Sequence, residues 1–160
     1  MPEKATIQRA RRDKRAGKSA STQAGEFVRE EMEHVREGKH GARSSKQAIA
    51  IGLPKARRAG VELPAPKKGQ ASERTRRSAE RALRHPRTKP SKKRATSVRS
   101  ALRREGRSAA SSTALSRQSH RAARRRGTES LKAAARKAVR TKGRAGRVAA
   151  ARKAAQTRKK

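Results

Sequence analysis

Val28, Met32 and Val35 stand at i, i+4 and i+7 in the segment EFVREEMEHVREG (26–38), with Phe27 beside them and charged residues between. That spacing places the apolar side chains on one stripe of a helix, and Gly38 supplies a C-terminal stop. After the loop KHGAR a second periodic stretch begins, in which Ile49, Leu53 and Ala56 share a face. Ser44 with Gln47 three residues on fits a capping box, with Ser45 as a rival cap; Gly60, Pro64 and Pro66 close the segment. The two stretches predict a short helical hairpin over residues 25–63, with a core of Phe27, Val28, Met32, Val35, Ile49, Leu53 and Ala56. Pro54 strains this picture, because an interior proline costs about 3 kcal/mol. The second helix is expected to kink there, or to break at Gly52 and restart with Pro54 in its first turn. IGLPKA (51–56) has a passing likeness to the phosphate-binding turn of helix-hairpin-helix motifs, but Leu53 stands where the second turn glycine belongs. A kinked amphipathic helix is the favoured reading.

The pattern fades on either side of the hairpin. Of the 49 apolar residues 31 are Ala, and nine of the 18 larger ones fall between Phe27 and Leu63. Seven are spread over the 97 residues that follow, too few to offset about 1–2 kcal/mol of backbone entropy per ordered residue. The predicted fold class is therefore mainly α with extensive disorder. Residues 1–24 read as a basic flexible N-terminus, 64–94 as a basic linker with one helix at 72–84, and 95–160 as a Lys/Arg/Ala-rich tail. Within the tail, helix-capable stretches break at Gly106, Gly127 and Gly143, and AAARKA occurs at 133–138 and again at 149–154. Ala, Lys and Arg favour helix while like charges four apart oppose it, so the tail is expected to be conditionally helical, folding when phosphates neutralise it.

Charge then decides the class of partner. Lys and Arg number 48 against 12 acids, a net +36; residues 70–160 alone hold 31 against four. Such a cloud calls for an anionic partner, and nucleic acid is the first candidate. The residues expected to neutralise phosphates are Lys92, Lys93, Arg94, Arg124, Arg125, Arg126, Lys132, Arg136, Lys137, Arg140, Lys142, Arg144, Arg147, Arg152 and Lys153. Phe27 is the one aromatic residue, so base-stacking platforms are lacking, and duplex DNA is favoured over RNA. The tail lacks the Trp/Phe/Leu face of an interfacial membrane helix, and no run of about 18 apolar residues occurs.

Other chemistries find little support. With no cysteine there is no disulfide framework or thiolate metal site. His34 and His40 are six apart without a third defined ligand, so no metal is expected, nor any other cofactor. Nucleophile elbows and Walker-type loops are absent, so neither catalysis nor a small-molecule substrate is expected. The acids Glu26, Glu30, Glu31, Glu33 and Glu37 read mainly as a solvated face pairing with Arg29, Arg36 and neighbours; the rival reading has them mask the tail. The N-terminal residues, with Glu3 and Asp13 and no apolar stretch, make a poor signal or transit peptide, which leaves a cytoplasmic location as the default.

GEFVREEMEHVREGKHGARSSKQAIAIGLPKARRAG (25–60) resembles an uncharacterised bacterial family of small basic proteins, whose shared region is a Glu-rich helix, a Gly/Lys/His loop and an SKQAIAIGL helix. That family tends to have a small polar residue at the position of Pro54. The resemblance implies no activity. The AAARKA repeats are similar in composition to the tails of histone H1-like bacterial proteins. The expected function is thus a non-enzymatic, sequence-independent, histone-like DNA-binding protein of the bacterial nucleoid, with residues 25–63 serving self-association or a protein partner. The alternatives are an RNA- or ribosome-associated basic protein, and a protein-interaction module with the tail as localiser.

Overall fold

The computed structural model describes residues 2–86 and 91–158. Its helices are α1 (Lys4–Arg15), α2 (Ala20–Arg36), α3 (Ser45–Arg58), α4 (Glu73–Arg84), α5 (Lys92–Arg103) and α6 (Ser112–Arg158), with a 3-10 turn at Ser108–Ala110. The described residues contain no strand, only an isolated bridge between Lys68 and Ala71. Residues 87–90, in the middle of the expected basic linker, lie outside the described residues. The chain divides into two compact units, Met1–Ser116 and Arg117–Lys160.

Serine starts four helices in the first unit. Ser19, Ser44, Ser72 and Ser91 each accept a hydrogen bond from the backbone N–H three residues on, satisfying an otherwise orphaned donor. At α3 the competition between the two serines resolves cleanly. Ser44 is the cap, while the Ser45 hydroxyl donates to the Ala109 carbonyl at 2.5 Å. Gln47 Oε1 in turn accepts the Arg43 N–H at 2.7 Å.

Packing centres on α2, which lies against α1 and α3. One core cluster holds Met32, Val35, Ala42, Ala48, Ala109 and Ala110, with Val28, Ile49 and Leu115 against it. The second holds Ala10, Ala24, Phe27, Ala56 and Val61, with Ile7, Leu53 and Leu63 alongside. The seven expected core residues are thus shared between two clusters. Both clusters also recruit elements beyond the hairpin: α1 on one side, and the 3-10 turn on the other.

Extensive disorder is not supported by this structure, and that expectation is corrected. Counting large apolar side chains undervalues the core, because eight of the twelve buried apolar residues are alanine. Alanine buries surface without losing rotamer entropy and lets helices approach closely. Residues 1–24, expected to be flexible, contain α1, whose Ile7 and Ala10 pack beside Phe27. The Asp13 carboxylate, buried at the end of α1, receives Lys18 Nζ at 2.6 Å. The Lys/Arg/Ala-rich tail expected over residues 95–160 contains most of α5, the 3-10 turn and α6, as the intrinsic helix propensities of Ala, Lys and Arg favour.

Pro54 lies inside α3, which runs without a break from Ser45 to Arg58. The carbonyl left without a helical partner by the missing N–H belongs to Ala50, an exposed position open to water. IGLPKA is accordingly a helical turn and not a phosphate-binding hairpin.

In the second unit α6 is not one rod. Gly127 (φ 74°, ψ 165°) and Gly143 (φ 61°, ψ −174°) leave helical geometry, at the two breaks the sequence predicts. Backbone of this kind is nearly restricted to glycine, so these residues act as joints between three helical pieces.

Candidate functional site

Arg117–Lys160 contains 17 Lys and Arg against a single acid, Glu129. Arg124, Arg125, Arg126, Lys132, Arg136, Lys137, Arg140, Arg144, Arg147, Arg152 and Lys153 are all exposed on α6; the side chain of Lys142 lies outside the described residues. Glu129 occupies Lys132 Nζ at 2.9 Å, and Arg147 Nε donates to the Gly143 carbonyl at 3.2 Å. Lys132, Arg136 and Arg140 follow one another every four residues, a step that turns only about 40° around a helix. They therefore form one cationic row, with Leu131, Ala134 and Ala138 toward the opposite side. Arg124–Arg126 close the first helical piece, where the helix dipole favours positive charge. Lys92, Lys93 and Arg94 are separate from this set: they are exposed on the first turn of α5, in the first unit.

The first unit holds a second concentration of charge, of a different kind. Glu31 of α2 is fully buried. Its Oε1 accepts a hydrogen bond from Lys55 Nζ of α3 and lies 3.8 Å from His34 Nδ1, one turn further along α2. Its Oε2 lies 3.3 Å from His40 Nε2 yet has no hydrogen-bond partner, because distance without alignment does not make a bond. The two imidazole rings meet edge to face, their centroids 5.9 Å apart.

Each imidazole is fixed from behind. His34 Nε2 lies 3.0 Å from Glu3 Oε1, and the Glu3 carboxyl is held below its usual range by that contact first and by Lys39 second. A carboxylate oxygen facing an imidazole nitrogen accepts, so this contact suits the His34 tautomer with its N–H at Nε2. His40 Nδ1 lies 3.0 Å from the Gly41 carbonyl and must likewise be protonated. The adjacent Glu30, also buried, accepts the Glu3 N–H at 3.2 Å through Oε2, while Oε1 has no partner. Glu30 thus satisfies the backbone N–H of Glu3, the N-cap residue of α1.

The loop carrying His40 is held from a distance. Gly41 N–H donates to Leu102 O and Ala42 N–H to Gly106 O, both at 2.9 Å. A Cβ at Gly41 would stand 1.8 Å from Glu105 O, so only glycine permits this approach. Arg36 Nε donates to Ala110 O at 3.0 Å, completing the attachment of residues 102–110.

Residues 11–68 match DUF6496, a family of unknown function. No curated protein and no solved structure matches the chain. The DUF6496 segment runs from the later part of α1 through α2 and α3, and it takes in the region whose resemblance to an uncharacterised family the sequence displays. It contains Glu31, His34, His40 and Lys55; Glu3, residues 102–110 and the basic tail lie beyond it.

The acids of α2 and its C-cap residue Glu37 are engaged within the first unit. Arg9 Nε meets Glu26 at 2.6 Å, Arg29 Nε meets Glu33 at 2.9 Å, and Lys39 Nζ meets Glu37 at 2.9 Å. Glu30 and Glu31, read from sequence as part of a solvated face, are instead buried. The spacing of Glu31 and His34 is visible in the sequence as an i, i+3 pair. His40 joins them only because the loop is pinned from 60 residues downstream.

Proposed function

We propose that this protein binds duplex nucleic acid through its backbone phosphates, without catalysis and without sequence preference, in the manner of a histone-like DNA-binding protein. The supporting observation is the cationic face of α6: exposed Arg and Lys on helical pieces, a single acid among them, and joints at Gly127 and Gly143. Each phosphate contact releases condensed counterions and adds affinity regardless of sequence. Phe27, the one aromatic residue, is buried at 1% exposure and offers nothing for base stacking, which favours duplex over single-stranded or looped partners. A place on a bacterial nucleoid is part of this proposal, because the AAARKA repeats are similar in composition to the tails of histone H1-like bacterial proteins.

A binding titration over a salt series tests it, comparing the full chain with the triple variant Lys132→Gln/Arg136→Gln/Arg140→Gln. Each phosphate contact contributes about 0.9 to the slope of log affinity against log salt. The triple variant is therefore expected to flatten the slope by up to about 2.7, equally on unrelated duplex sequences. An unchanged slope removes this row from the interface. Structured RNA that outcompetes duplex DNA at equal salt would turn the reading toward an RNA-associated protein.

A further inference from the structure

We propose that Glu31, His34 and His40 bind one divalent transition-metal ion, with zinc-like ligand preferences, at the junction of α2 with the loop that follows it. Their potential ligand atoms all lie within 4.8 Å of one another. A tetrahedral ion with bonds of about 2.0–2.1 Å needs its ligand atoms about 3.3 Å apart, and Glu31 Oε2 to His40 Nε2 is already 3.3 Å. Small side-chain shifts bring in His34 Nδ1.

The protonation pattern prepares the site. With His34 Nε2 donating to Glu3 and His40 Nδ1 donating to Gly41 O, the nitrogens that turn toward Glu31 are the ones free to carry lone pairs. An imidazole whose far N–H is bound to a carboxylate or carbonyl is the usual arrangement behind a metal-bound histidine. Glu31 supplies an independent indication. Its Oε2 is buried without a hydrogen-bond partner, a costly state that a ligand would relieve. Lys55 occupies Oε1 and so leaves Oε2 as the single coordinating oxygen.

The surroundings agree with this assignment. Three carboxyl groups, of Glu3, Glu30 and Glu31, gather around the two imidazoles. Two imidazoles and a carboxylate, without thiolate, suit zinc and its neighbours better than calcium or magnesium. The imidazole side chains are each 13% exposed while Glu31 is fully buried, so the cluster lies at the edge of the core.

The test uses the full-length chain. Zinc chloride titrated calorimetrically near neutral pH should bind at one equivalent. Cobalt(II) in its place should develop the visible bands of a four-coordinate ion. Long-range nitrogen–proton spectra of the histidines should show His34 and His40 perturbed by zinc, with His85 and His120 unmoved. His40→Gln is expected to weaken binding at least tenfold, and His120→Gln to leave it unchanged. No saturable zinc binding, perturbation confined to His85 or His120, or wild-type affinity in His40→Gln would each overturn the site. Should His40→Gln fail to fold, the histidine spectra of the unaltered chain still decide.

Discussion

Gly52 of α3 rests directly on the backbone of Val28 in α2: a Cβ at Gly52 would lie 2.8 Å from Val28 Cα and 3.0 Å from Phe27 O. The obstacles are backbone atoms, which cannot turn aside as a side chain would. Gly52→Ala is therefore expected to push α2 and α3 apart and to destabilise the first unit by about 1–3 kcal/mol. Gly25, inside α2, is the control, because a Cβ there would meet nothing within 4 Å. Gly25→Ala should stabilise by about 0.5–1 kcal/mol through helix propensity alone. Urea unfolding of both variants checks the pair, and equal effects at the two glycines would refute the close crossing.

Arg57 is buried at 6% exposure and spends its guanidinium on main-chain carbonyls: Nε donates to Leu63 O at 3.0 Å and Nη2 to Pro64 O at 2.9 Å. Burial pushes this group below its usual range, though an arginine stays charged in proteins. The planar fork fits two carbonyls one residue apart, and a lysine ammonium does not reproduce it. Arg57→Lys is expected to cost about 1–3 kcal/mol and to raise hydrogen exchange across residues 61–66. Retention of wild-type stability by Arg57→Lys would show that the fork is dispensable.

Acid should loosen α4. Arg76 Nη2 pairs with Glu73 at 2.5 Å and Nη1 pairs with Glu80. The Glu73 carboxyl is held below its ordinary value, first by the hydrogen bond from Arg76. A folded-state pKa that is depressed contributes stability above the unfolded pKa and loses it as pH falls through the folded one. Protection of the α4 amides should therefore decline below about pH 4, modestly because the pairs face solvent. Glu73→Gln should remove most of that pH dependence; a profile that survives the substitution assigns it elsewhere.

How much of this was legible in the sequence depends on the reach of each contact. Val28, Met32 and Val35 announce α2 because a helical stripe is a local pattern, and Ser44 with Gln47 announces the start of α3 for the same reason. Pro54 misleads, since its cost depends on whether the Ala50 carbonyl finds water, and only the fold reveals that exposure. The docking of α1 escapes notice because Ile7 and Ala10 are too few and too small to mark a face. The junction of Glu31, His34 and His40 is the least legible part. It depends on a loop held by hydrogen bonds to Leu102 and Gly106, and beside it Ser45 and Ala109 meet across 64 residues of chain.

Gly127 and Gly143 set the geometry that α6 offers to a phosphate backbone. At Gly127 φ is 74° and ψ 165°, a conformation that costs a residue with a Cβ about 1–3 kcal/mol. The same substitution gains about 1 kcal/mol in helix propensity. Both terms push Gly127→Ala toward continuous helix, so the joint is expected to close and join Ser112–Arg126 to the next piece. Far-ultraviolet circular dichroism should show increased helicity, with thermal unfolding of the first unit unaltered. A rigid segment cannot follow a curved duplex as jointed pieces can, so affinity for duplex DNA should fall while the net charge is unchanged. A variant with higher helicity and undiminished affinity would show that the charge of α6 suffices and that its joints serve no purpose in binding.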